Sequence, residues 1–290
     1  MSARTALLAA TLAAPLALAG LPARADLKLP RPSPGATVTQ TIGVTDLTVK
    51  FSRPGVKNRV IWGDLVPYDK PWRTGANEAT TLTTTGEIMV GGQKLAPGTY
   101  SLFTIPGKDT WSLVLNSEQN LWGAYEYKPE KDVLKVTLQP SAAAPQEWMN
   151  FSFEDLTDQS ANLVLRWEKL RVAVPITVDV NARVLADCRA AVDSAKAGDW
   201  RTPYQAAGFC FNSNVAPEDG TRWLNKSLAV EKNYYNQRLL ARWQMKDGKK
   251  SDAIATAQKA IAAGKASKET VDTSEMEKQL AEWTATGKKS

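Results

Sequence analysis

The sequence predicts a protein of mixed class, α+β by domain: an antiparallel β-sandwich or barrel-like part first, then an all-α part built of helical hairpins. Three observations predict it. From residue 36 to residue 180 apolar and polar side chains alternate with period two. Gly- and Pro-bearing turns punctuate that stretch closely and no amphipathic helix separates the runs, which favours antiparallel pairing over a parallel sheet. At Asn181 the period changes to that of a helix and Ala becomes frequent.

The predicted strands follow in order. "TVTQTIGVTDLTVKFS" alternates through Val44 to Phe51, and "ATTLTTT" is a Thr-rich strand. "EIMVGGQKL" and "GTYSLFTIPG" are strands joined by turns, with Gly91-Gly92 and Pro97-Gly98 as punctuation. "TWSLVLN" sets Trp111, Leu113 and Leu115 against Ser112, Val114 and Asn116. "DVLKVTLQP", "EWMNFSFEDL", "SANLVLRWEK" and "RVAVPITVDV" complete the series, and Pro175 marks part of the last as an edge or bulge. In the helical part, "NARVLADCRAAVDSAKAGDW" and "EDGTRWLNKSLAVE" are helical segments. Two more helices break at Asp247-Gly248, and another is predicted from Thr273 to Trp283.

The chain of 290 residues has a formal charge of +6, and its N-terminus reads as a secretory signal. Arg4 is the positive region, residues 6–18 are an uncharged Ala- and Leu-rich run, and Ala23 and Ala25 supply an Ala-x-Ala cleavage site. A membrane-spanning helix needs about 20 apolar residues; Pro15 and Gly20 interrupt this run. The expected organisation is a signal peptide over residues 1–25, a linker over 26–35, a β-domain over 36–180 and a helical domain over 181–290. The mature protein is expected in the periplasm or secreted, with no membrane span. No block of like charge marks a nucleic-acid surface.

The chain has no His. This removes Ser-His-Asp and Cys-His catalysis, His-ligated zinc and the usual neutral-pH general base. No P-loop, dinucleotide Gly motif, EF-hand or Cys-rich metal signature is present, so no cofactor or metal is expected. Cys188 and Cys210 are an isolated pair, expected to form a disulfide in an oxidising compartment; two buried free thiols are the alternative.

The stretch over residues 49–107 carries a resemblance. Ser52-Arg53-Pro54-Gly55-Val56 is followed by Trp62-Gly63, Leu65-Val66-Pro67-Tyr68, and the run from Trp72 through Arg73, Gly75, Asn77 and Glu78 to Thr80. Gly98-Thr99-Tyr100-Ser101-Leu102-Phe103 continues it, "LWGAYEY" and "FEDLTDQSANLVLRWEKLRVAVPI" extend it, and the likeness covers residues 32–180. These motifs closely resemble the bacterial family catalogued as domain of unknown function 2911. The resemblance implies an exported or envelope location and a β-rich domain, often with a helical tail; it implies no activity. Residues 233–264 resemble a degenerate tetratricopeptide repeat. Gly248 stands at the turn and Leu240, Ala241, Ala253, Ile254, Ala260 and Ile261 match, while Gln237 and Gln244 fill the family's Trp and Tyr positions.

The candidate site is the loop holding Trp72, Arg73, Asn77 and Glu78, with Asp64 nearby in sequence. Either Arg73 clamps Glu78 and fixes the loop, or Arg73 and Asn77 face a cleft and hold an anionic or polyhydroxylated ligand beside Trp72. Asp64, Asp69, Glu78, Glu126 and Asp155 are the carboxylates available for His-free hydrolysis, or for pairing with Arg53, Arg59 or Arg73. Trp62, Trp72, Trp111, Trp122, Trp148 and Trp167 are expected mostly in the core; an exposed set would offer a sugar platform. The reading is an exported, non-catalytic binding or interaction protein of the bacterial envelope, more a binder than an enzyme. Its partner is a small molecule or glycan, or a protein through the helical domain. A His-free glycan hydrolase and a purely structural envelope protein are the alternatives. Intact-mass analysis of the exported protein is expected to give a chain beginning at Asp26; retention of Met1 on exported material overturns the signal-peptide reading.

Overall fold

In a computed structural model, residues 29–285 are described. The expected signal sequence and its cleavage point lie outside the described residues. The described residues fall into two units, residues 29–32 and residues 33–285; the first holds no helix or strand.

The second unit opens with an antiparallel β region. β1 (Gly35–Ile42) and β2 (Thr45–Ser52) form a hairpin, so the alternating run predicted as one segment reverses at residues 43–44. Gly43 takes φ +59°, a left-handed turn conformation, and a side chain there would collide with Val180. β3 (Thr80–Thr84), β4 (Ile88–Val90), β5 (Gln93–Leu95), β6 (Gly98–Pro106), β7 (Trp111–Asn116) and β8 (Asp132–Leu138) follow. β9 (Ser141–Glu154) and β10 (Ser160–Thr177) complete the set. One sheet has six strands in the order β1-β2-β3-β6-β7-β8 and the other four in the order β5-β4-β10-β9. Neither order closes into a barrel.

Both sheets contribute to one hydrophobic cluster. Leu47 and Val49 of β2, Leu82 of β3 and Leu113 and Leu115 of β7 meet Phe151 of β9 and Leu163, Leu165, Val174 and Ile176 of β10. The last two predicted strands are one continuous β10. Pro175 lies on the stretch of β10 beyond its last pair with β9, Arg171 with Ser141, where no ladder bond to that strand requires an N–H. Its carbonyl accepts from Gly91 N at 2.8 Å.

The core also holds four tryptophans in mutual contact. Trp62 packs edge-on against Trp72, Trp111 and Trp167, with centroids 5.9, 4.9 and 5.7 Å away. Trp72 stacks on Trp167 at 5.7 Å and 20°. Trp111 belongs to the six-stranded sheet and Trp167 to the four-stranded one, so the rings join both sheets and the long β2–β3 connection. Most of the six are thus in the core, as expected, while Trp122 and Trp148 are 58% and 39% exposed.

Six helices follow: α1 (Val180–Asp193), α2 (Arg201–Ser213), α3 (Pro217–Val230), α4 (Tyr234–Lys246), α5 (Lys250–Lys265) and α6 (Ser274–Thr284). α2 was not legible as a helix because Pro203 and Gly208 interrupt its propensity. Pro203 falls in the first turn, where its missing N–H has no intrahelical partner to lose. Asp199 supplies the cap, accepting from Arg201 N at 2.9 Å and Thr202 N at 3.1 Å. α4 and α5 form a helical hairpin across Gly248, which takes φ +77°.

The expected disulfide is corrected. Cys188 on α1 and Cys210 on α2 are free thiols packed in one apolar cluster with Val192, Trp223 and Trp243. Burial pushes the Cys210 thiol up to about 11, with Cys188 adding to the shift, and burial raises Cys188 as well. Both therefore stand as small apolar packing groups. Replacing Trp167 by Ala removes a buried ring that Trp62 and Trp72 contact, and is expected to cost about 3–5 kcal/mol in a urea unfolding titration.

Candidate functional site

The β2–β3 connection, residues 53–79, is long, and backbone groups fix it along its length. Met149 N donates to Pro54 O at 3.0 Å, Val56 N to Glu147 O at 2.9 Å, and Arg53 Nε to Met149 O at 2.9 Å. Trp72 pairs with Thr104 of β6 through two backbone bonds of 2.8 and 2.9 Å, and its indole donates to Gly75 O at 3.2 Å. The corner that follows carries Thr74 at φ 52°, a conformation a β-branched residue rarely adopts and which costs about 1–3 kcal/mol. Buried hydroxyls hold it there. Thr74 Oγ1 lies 3.1 Å from Thr104 Oγ1, and Thr80 Oγ1 donates to Thr74 O at 2.7 Å.

The corner places the predicted residues differently from one another. Trp72 is buried in the tryptophan cluster and presents no face to a ligand. Asn77, at φ 59°, donates through Nδ2 to Ser33 O at 3.1 Å and Ser52 Oγ at 3.2 Å, so it clasps the start of β1 to the end of β2. Glu78 is exposed and lies opposite Trp122. Asp64 and Asp69 are exposed on the same connection, Glu126 on the β7–β8 connection and Asp155 at the β9–β10 turn. Asp155 accepts from Asn162 Nδ2 at 2.8 Å. Arg73 is half-buried, and its Nε is sealed from water with no hydrogen-bond partner. Burial lowers its pKa, opposed by the neighbouring Tyr125 phenol.

Tyr125 belongs to a segment, residues 119–128, that contains the family motif "LWGAYEY". Leu121, Ala124 and Tyr127 pack with Ala79, Phe103, Val114 and Ile105 in a second cluster, on the side chains of β6 and β7 that alternate with those of the main core. Ala79 N donates to Leu121 O at 2.9 Å and Gly123 N to Asn77 O at 3.2 Å, so the segment runs antiparallel to the Arg73 corner with Trp122 opposite Glu78. The residues between the anchors point outward: Trp122 is 58% and Tyr125 89% exposed. Gly123, at φ +71°, lets the Tyr125 ring lie directly against the backbone, where a side chain at residue 123 would meet Tyr125 Cε2 at 2.7 Å. Tyr127 donates to Asp132 Oδ2 at 2.7 Å; burial and that carboxylate push its phenol upward. A cleft of about 410 Å³ opens here, lined by Glu118, Leu121, Tyr125, Glu126, Tyr127 and Lys128.

Residues 33–176 match the sequence model of the family described as "Protein of unknown function (DUF2911)". Over that stretch the chain belongs to the DUF2911 family. No curated protein and no solved structure matches it. The match covers both sheets up to the end of β10, together with the Arg73 corner and the residue 119–128 segment. Among the described residues no helix is long and apolar enough to cross a membrane, and no group of three or more His, Cys, Asp or Glu is arranged to hold a metal ion.

One carboxylate of this DUF2911 region is strongly perturbed, and it is structural. Glu154 is gripped by both nitrogens of the Arg166 fork at 3.2 Å, by Arg171 at 3.1 Å and by the Ser152 hydroxyl at 3.0 Å. The Arg166 bonds chiefly hold it at about 2, with partial desolvation opposing them. Its folded pKa lies below the ordinary value of 4.5, so its contribution to stability is complete above about pH 4.5 and is lost as pH falls through about 2. Glu154→Gln is expected to be less stable than the parent by a constant margin above about pH 4.5, and the margin is expected to shrink steadily towards pH 2 in thermal melts.

Proposed function

We propose that this protein is an exported, non-catalytic binding protein of the bacterial envelope, and that it takes a saccharide at the cleft beside Trp122 and Tyr125. One observation carries the reading. Two large aromatic rings stand in water on a segment whose intervening residues are anchored in an apolar cluster and zipped by backbone bonds to the Arg73 corner. A mobile loop would expose such rings at random; an anchored one presents them in a fixed arrangement, which lowers the entropic cost of binding. Aromatic faces stack on the apolar faces of sugar rings, and the flanking Glu118, Glu126 and Lys128 offer acceptors and donors to hydroxyl groups.

Two structural points belong to the same proposal. The two sheets act as the faces of a sandwich, supported by their shared cluster. The α4–α5 hairpin is a tetratricopeptide-like unit, supported by the full burial of Ala241, Ala253, Ala257 and Ala260, small residues that let the helices approach closely. The helical part braces the β-domain through Val180, which packs on its core, and Arg183, whose Nη1 lies 3.5 Å from Thr85 O. Export is supported by the Ala-x-Ala sequence ahead of Asp26.

The test is a fluorescence and calorimetric titration of the mature chain with neutral and acidic oligosaccharides, with chromatography of the ligand afterwards. Saturable binding with intact ligand is expected. Trp122→Ala and Tyr125→Ala are expected to weaken it about tenfold or more, from the loss of ring burial, while changing stability by less than about 0.5 kcal/mol as exposed positions do. Absence of saturable binding across the panel overturns the binding reading, and ligand cleavage overturns the non-catalytic one.

A further inference from the structure

A strand that ends a sheet leaves one row of backbone N–H and C=O groups without a partner strand, and proteins guard such rows with charge, Pro, bulges, shortness or a cover. Among the described residues four strands end the two sheets: β1 and β8 in one, β5 and β9 in the other. Three of them are guarded. β5 has only three residues and carries Lys94. β8 carries Asp132 and Lys135, and Gln93 Nε2 donates to Lys135 O at 2.7 Å. β9 contains Pro145, has register shifts against β10, and is tied through Met149 and Glu147 to Pro54 and Val56. β1 has none of these devices. Its sequence GATVTQTI holds no charge and no Pro, and all eight residues pair with β2 in unbroken register. The hairpin fixes which backbone groups are left over. A two-residue turn joins Ile42 to Thr45, so these two form a hydrogen-bonded pair, and the backbone groups of Ala36, Val38, Gln40 and Ile42 point to β2. Those of Gly35, Thr37, Thr39 and Thr41 point away. Asp46, opposite Thr41, agrees: its carbonyl accepts from Thr85 N at 3.1 Å and its N–H donates to Thr85 Oγ1 at 2.9 Å, both on the β3 side. The four outward residues are exposed, and among the described residues only the Gln40 side chain, 2.9 Å from Thr41 O, bonds to that row.

We propose that β1 pairs antiparallel with β1 of a second copy of this chain, joining two six-stranded sheets across a two-fold axis. The strand is complementary to itself. The register that overlaps residues 35–41 sets Thr37 against Thr39 of the second copy, and Thr39 against its Thr37, through backbone bonds. Val38 then meets Val38 of the second copy, and Ala36 meets its Gln40. No charge opposes a like charge, and Thr–Thr pairs are favourable across strands. Val38 and Ala36, half-buried on the core face at the open edge, lose further contact with water. One surface meeting itself antiparallel is what a two-fold dimer requires. A single strand pair is a small interface, below about 1,200 Å², so the dimer is a reversible one.

The experiment is sedimentation equilibrium of the mature full-length chain, with circular dichroism of each variant as the check on folding. A monomer–dimer equilibrium that shifts to monomer on dilution is expected. Thr37 and Thr39 are exposed and alternate with the core-facing residues, so they can carry charge without entering the core. Thr37→Glu with Thr39→Glu sets like charges opposite each other across the two-fold axis, and is expected to weaken the dimer about tenfold. Thr37→Glu with Thr39→Lys sets Glu against Lys at both places in this register, and is expected to hold the dimer within about threefold of the parent or to tighten it. A chain that stays monomeric up to about 1 mM overturns self-pairing and leaves the edge to a strand of another protein. A dimer that the Glu/Glu variant leaves unchanged overturns the role of β1. A dimer that both double variants lose equally overturns the antiparallel register.

Discussion

The contact of Trp62, Trp72, Trp111 and Trp167 is the constraint from which the β region takes its arrangement. Trp111 stands on one sheet, Trp167 on the other, and Trp62 and Trp72 on the connection between β2 and β3. Each ring is large, and edge-to-face and offset contacts of this kind add about 0.5–1.5 kcal/mol per pair beyond area burial. The cluster therefore fixes three pieces of chain at once. A connection of this length would otherwise be a source of conformational freedom; buried indoles and backbone bonds to Glu147, Met149 and Thr104 make it part of the core.

Fixing Trp72 has a consequence for its neighbours. With the indole inward and the backbone paired to β6, the next residues must reverse tightly before β3 begins. Thr74 and Asn77 both take positive φ to do so, and the strain is held by Thr80, Thr104, Ser33 and Ser52. Arg73, between the two, is left partly desolvated without an acceptor.

That segment shows how apolar content is divided by small steps in the chain. Leu121, Ala124 and Tyr127 go down onto β6 and β7, while Trp122 and Tyr125 go out. The division follows from backbone pairing with residues 77–79 and from the left-handed Gly123, neither of which has a sequence period. The charged groups of the domain divide likewise. Glu154, with Arg166 and Arg171, closes a network along β9 and β10, whereas Arg73 has no such network.

The sequence by itself determined the change from period two to helical period near residue 181, the antiparallel character of the first half, and the DUF2911 motifs, because these depend on local alternation and on turn residues. It also placed the helix break at Gly248. It could not separate buried from exposed tryptophans: Trp72 and Trp122 are the same residue type in equally motif-rich segments. It could not see α2, whose Pro203 and Gly208 are tolerated only because of where they fall in the helix. Nor could it tell a cystine from two packed thiols, since spacing carries no information on whether an apolar cluster receives them. Only the tertiary structure decided that the predicted loop divides into a core residue, Trp72, a clasp, Asn77, and an unpaired cation, Arg73. These roles are set by partners far away along the chain, such as Ser52 for Asn77 and Trp167 for Trp72. Burial and hydrogen bonding depend on what the fold brings near a residue, and no local pattern records it.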